Sequence, residues 1–193
     1  MCFKDAVYEH PHSFLIVEIH HRTSNIKSLS FNLDQVIERD RVSIQNKKII
    51  TLSWEENFVF LCVHAAGHLW ARLKWLIDLA VFYQKHPLDW TKVIYFTKKH
   101  HANLALLETK ILLKDWFYIS LPDFSYSKIQ YCLARFRLWC AFYLWAPGDF
   151  SKDPQKTYLG RLNGLFCMLL CPNIKSFFSY LLIRTGKKIK QIF

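Results

Sequence analysis

Hydrophobic and polar positions keep a period of two early in this chain and a helical period after it. Val7 to Glu9, the break His10-Pro11-His12-Ser13, and Phe14 to His20 together predict a β-hairpin. In its second strand Phe14, Ile16, Glu18 and His20 alternate with Leu15, Val17 and Ile19, so Glu18 and His20 fall on one face. A carboxylate within an apolar strand is costly to bury unless it is paired or metal-bound. Two readings stay open there: an exposed sheet face, or a ligand. Asn32 to Arg39 reads as a short helix, and Arg41 to Leu52 as a second hairpin turning at Gln45-Asn46-Lys47.

The period changes at Ser53. The stretch Ser53 to Tyr83, SWEENFVFLCVHAAGHLWARLKWLIDLAVFY, is apolar on most faces. Ser53 followed by Glu56 predicts a capping box, each side chain satisfying an orphan backbone N–H. Read as one continuous helix, the stretch sets His64, His68, Arg72, Trp75 and Asp78 in a stripe roughly 120° wide. Either these polar groups bond to loops and to each other, with Lys74 paired to Asp78, or the stripe faces a ligand.

Further helices are predicted from Trp90 to His100, capped by Asp89, from Ala102 to Trp116, and from Tyr126 to Trp145. Leu159 to Leu170 and Ile174 to Ile183 follow, then a basic tail from Arg184 to Lys190. The predicted class is α+β. Residues 1–52 form a small β portion with a short helix and hairpin, and residues 53–193 form a helical domain.

Composition narrows the partner. The 193 residues are 52% hydrophobic and 17% aromatic, enough for a sizeable core. A net charge of +11 favours a polyanion: nucleotide phosphates, nucleic acid or an anionic membrane surface. Six cysteines without a C-x-x-C pair point to a reducing, cytoplasmic setting and no structural zinc. No signal peptide and no convincing membrane span is read, because charges and Pro172 break the apolar stretches. His64 and His68 have the spacing of a zinc helix, but Ala65 stands where H-E-x-x-H needs its glutamate. P-loop, Rossmann and G-x-S-x-G signatures are absent from the sequence.

The central run carries a resemblance. Leu61, Cys62, His64, His68, Trp70, Arg72, Leu73, Lys74, Trp75, Leu76 and Asp78, with Leu88-Asp89-Trp90 beyond, resemble the uncharacterised bacterial nucleotidyltransferase family with the polymerase-β-like fold. VEIHHR at Val17 to Arg22 resembles that family's V-E-L-H-W-R strand, with His21 where tryptophan is usual. Nucleotidyltransferases of this fold hold Mg²⁺ with a D-x-D pair after a Gly-Ser turn, completed by a third carboxylate. Glu18 matches that third acid, and the chain has neither Gly-Ser nor D-x-D.

The resemblance therefore implies the C-terminal two-thirds of a nucleotidyltransferase, truncated or half of a split enzyme. Its activity would be Mg²⁺-dependent NMP transfer from an NTP to an acceptor. Glu18 would be the catalytic and metal-binding residue. His20, His64, His68, Arg72 and Lys74 would contact nucleotide or substrate, and Trp75 would be a stacking wall. A separate chain carrying the missing half is the implied partner, and no specific nucleic acid is predicted. The alternatives are an inactive family remnant, or a basic helical module on an anionic membrane. The latter would use Phe177, Phe178, Tyr180, Leu181 and Ile183 beside Arg184, Lys187, Lys188 and Lys190.

Overall fold

The computed structural model describes residues 5–9, 16–20, 39–44, 46–145 and 169. The predicted helix at residues 32–39 lies outside them apart from Arg39, which opens a strand. The two C-terminal apolar segments, except Leu169, and the basic tail also lie outside.

Among the described residues, the early period of two produces two separate antiparallel hairpins. Strand β1 (Asp5–Glu9) pairs with β2 (Ile16–His20), placing Val7 opposite Glu18 and Asp5 opposite His20. Strand β3 (Arg39–Ile44) pairs with β4 (Lys47–Leu52). Asn46 takes the turn with φ 64°, a left-handed geometry that asparagine tolerates. A lone two-stranded ribbon is marginally stable. Amides of Ile16–His20 should therefore exchange far faster than those of the central helices. Protection of β2 equal to theirs, in a hydrogen-exchange experiment on the monomer, would contradict this.

The other described residues are mainly helical: α1 (Trp54–Gly67), α2 (Leu73–Lys85), α3 (Trp90–Lys99), α4 (Asn103–Phe117) and α5 (Lys128–Trp145). The class is α+β, mostly helical. Helix α1 is the hub, packing on α2, α3 and α4, and α5 packs on α4. Phe58, Val59 and Cys62 of α1 meet Val93, Leu106, Leu107 and Leu112 in one buried cluster. Burial pushes the Cys62 thiol up to about 12, against a weaker opposing hydrogen bond with Thr109. Among the described residues, no helix is long and apolar enough to cross a membrane.

The continuous Ser53–Tyr83 helix does not form. Helix α1 ends at Gly67, and the chain turns through His68–Arg72 before α2 begins. Leu69 and Trp70 are left-handed, with φ 51° and 55°. The Trp70 N–H donates to Ala65 O at 3.0 Å and the Leu69 N–H to Ala66 O at 3.1 Å. That pairing is a Schellman stop, with leucine where glycine is usual. A leucine in this conformation costs about 1–2 kcal/mol. Burying Leu69 and Trp70 offsets it.

The capping box is only half made. Ser53 Oγ accepts the Glu56 N–H at 3.2 Å, but the Glu56 carboxylate turns inward to His100 Nε2 at 2.7 Å. Asp89 caps α3 as its sequence predicts, accepting from Thr91 N at 2.9 Å.

Candidate functional site

The elbow between α1 and α2 gathers four of the candidate residues. The His64 and His68 rings lie one turn apart with centroids at 4.8 Å. Trp75, from the first turn of α2, meets His64 edge-on at 5.3 Å and lies 5.0 Å from His68. Arg72 places its guanidinium 5.8 Å from the Trp75 ring centre. His64, His68 and Trp75 are half-buried, whereas Arg72 is exposed. Two helices broken by a sharp turn thus bring together what one straight helix would have strung along its side.

The electrostatics of the elbow favour an anion. Arg72 is the N-cap of α2 and gives no side-chain cap, and the first turn of α2 has no acidic residue. The orphan N–H groups and the positive end of the helix dipole therefore coincide with a cationic side chain. Acid residues are normally favoured there and none stands in that turn, so the start of α2 keeps its positive end beside the negative C-terminal end of α1. Lys74 is 74% exposed and pairs with Asp78 at 2.5 Å, the internal ion pair that the spacing predicts. Glu18 and His20 are placed by backbone register alone, two positions apart on β2. Among the described residues, no group of three or more His, Cys, Asp or Glu side chains stands ready for a metal ion.

Behind the elbow lies a charged network that sequence reasoning missed. Glu108 on α4 and Arg137 on α5 are fully buried. Arg137 Nε donates to Glu108 Oε1 at 2.5 Å, and its Nη2 donates to Ala66 O at 3.0 Å. Trp70 Nε1 donates to the other carboxylate oxygen at 2.9 Å. Arg137 therefore caps the end of α1, while Glu108 anchors the left-handed Trp70. The sequence signal was weak: a charge beside apolar residues on each helix, Leu106-Leu107-Glu108 and Phe136-Arg137-Leu138, with Lys110 and Arg135 only two positions away.

A second buried pair fixes the other end of α1. Burial raises the Glu56 carboxyl, but the His100 hydrogen bond and the charges of Lys99 and His100 outweigh it and hold it below its ordinary 4.5. A carboxyl with a depressed folded-state value stabilises the fold above its unfolded-state value. That contribution is lost as pH falls from 4.5 through the folded value. Stability of the wild type should decline through this acid range. Glu56→Gln should flatten the decline in denaturant titrations at successive pH; an unchanged slope would contradict the assignment.

No curated protein and no solved structure matches the chain. A family model described as uncharacterised nucleotidyltransferase matches residues 3–118. That span is more than half of the chain, and it takes in both hairpins, the elbow and Glu108. The chain belongs to the uncharacterised nucleotidyltransferase family.

Proposed function

We propose that the α1–α2 elbow receives the phosphates of a nucleoside triphosphate, in an enzyme that moves an NMP group to an acceptor. The observation that carries this is the meeting of His64, His68, Arg72 and Trp75 at an uncapped helix N-terminus. In the transfer, an acceptor hydroxyl attacks the α-phosphorus and the bond to pyrophosphate breaks. Charge spreads over the phosphate oxygens as it does so. Arg72 and the N–H groups of α2 neutralise that charge, helped by the two imidazoles when protonated. Trp75 offers a ring face beside them for the base. Lys74, paired with Asp78, adds a screened charge at the rim.

The family implies Mg²⁺, but the residues here do not fit it unaided. Glu18 is one carboxylate at the matching position, whereas two-metal chemistry wants several around ions about 4 Å apart. We assign the D-x-D to a segment outside these 193 residues, on the same or a separate chain, with Glu18 and His20 of β2 completing its site. The free, buried Cys62 and Cys140 suit a reducing compartment, and we place the protein in the cytoplasm.

The 193-residue chain alone, with Mg²⁺ and labelled NTP, should label neither itself nor a lysate component. Labelling should begin when a chain carrying Gly-Ser and D-x-D is added, and Glu18→Ala should abolish it. Labelling by the lone chain that Glu18→Ala removes would mean a complete active site resides in it. Silence under both conditions would favour an inactive family member.

A further inference from the structure

A groove of about 620 Å³ runs between α4 and α5, within the usual size of small-molecule sites. Its far wall comes from residues 126–135, beyond the matched family segment, and none of its lining residues belongs to the elbow. Leu107 and Ile111 make a buried apolar floor. Tyr126 and Tyr131 form one wall, their rings inclined by 21° and still 39% and 42% exposed.

Four cations line the groove: Lys110, Lys114, Lys128 and Arg135. Lys110 is held by Asp123 at 2.5 Å and by Pro122 O, and Arg135 by Asp115 at 3.0 Å. Lys114 and Lys128 make no ion pair among the described residues. Lys128 also opens α5, whose first turn has no acidic residue. The positive end of that helix dipole adds to the two lysines. Ser127 and Gln130 cap each other there at 2.8 and 3.1 Å, which fixes the helix start.

We propose that this groove binds a phosphomonoester carrying a flat ring, its phosphate at Lys114 and Lys128 and its ring against Tyr126 and Tyr131. A free polyphosphate would leave the apolar floor and both tyrosine faces wet. A neutral ring would leave Lys128 and the helix terminus unused, and Lys114 with only the longer-range charge of Asp123. A ring-bearing monoester satisfies both parts of the lining, at a size the cavity admits.

Cys132 gives a local readout, since it lines the groove and its thiol is free and exposed. The full chain is treated with iodoacetamide, and alkylation of Cys132 is followed by peptide mass spectrometry. Phenyl phosphate should slow it several-fold, and inorganic phosphate or phenol much less. The protection should vanish in Lys114→Glu/Lys128→Glu and weaken in Tyr131→Ala. His68→Ala, at the elbow, should leave it intact, so failure of the nucleotide reading and failure of this one are separable. Absence of protection, equal protection by phosphate or phenol alone, or protection that survives the double charge reversal overturns the proposal.

Discussion

Arg137→Met alone should destabilise the fold by about 3–5 kcal/mol, the usual loss when one partner of a buried ion pair is removed. Glu108 would be left as a fully buried carboxylate with Trp70 Nε1 still donating to it. Ala66 O would lose the guanidinium that caps α1. Urea unfolding followed by helical circular dichroism reads the effect. Glu108→Leu/Arg137→Met should recover most of the loss, because an apolar pair of similar volume needs no desolvation of charge. The double variant still lacks the latch on Trp70. It should therefore bind nucleotide more weakly than wild type even where its stability is restored. Recovery of stability together with full nucleotide binding would show that the network does not position the elbow.

Arg72→Glu should weaken nucleotide triphosphate binding by roughly 10- to 100-fold. A charge-assisted hydrogen bond contributes about 1.5–3 kcal/mol, and the reversal adds repulsion at a helix N-terminus. Lys74→Ala should cost far less, because Lys74 is exposed and already paired with Asp78. Wild-type affinity should fall steeply with salt and that of Arg72→Glu less so. Equal losses for Arg72→Glu and Lys74→Ala would point to general surface charge instead of a built site.

Much of this was legible along the chain, for local reasons. Alternation over Phe14–His20 and Arg41–Leu52 marked the hairpins, and Asp89 before Trp90 marked the start of α3. The break between α1 and α2 was not legible. Its stop motif uses Leu69 at the position where glycine would have signalled it, and Gly67 lies two residues too early. What makes the break favourable is remote: Glu108 is 38 positions from Trp70, and Arg137 is 71 from Ala66. The half-made capping box has the same origin, since His100, 44 positions away, takes the carboxylate that the local pattern assigns to Ser53. The candidate site was legible as a set of residue types. Its geometry was not, because His64 and His68 meet Trp75 through a turn and not along one helix face.

The most direct measurement titrates NTP into the chain carrying labelled histidines and follows the ring signals of His64 and His68, assigned by single substitution. Both signals should move together in a saturable, salt-sensitive manner. A nucleoside without phosphate should move them much less, and in Arg72→Ala the response should be lost or require far more ligand. If NTP binds while both rings stay unperturbed, or if the bare nucleoside moves them equally, the elbow is not the phosphate site.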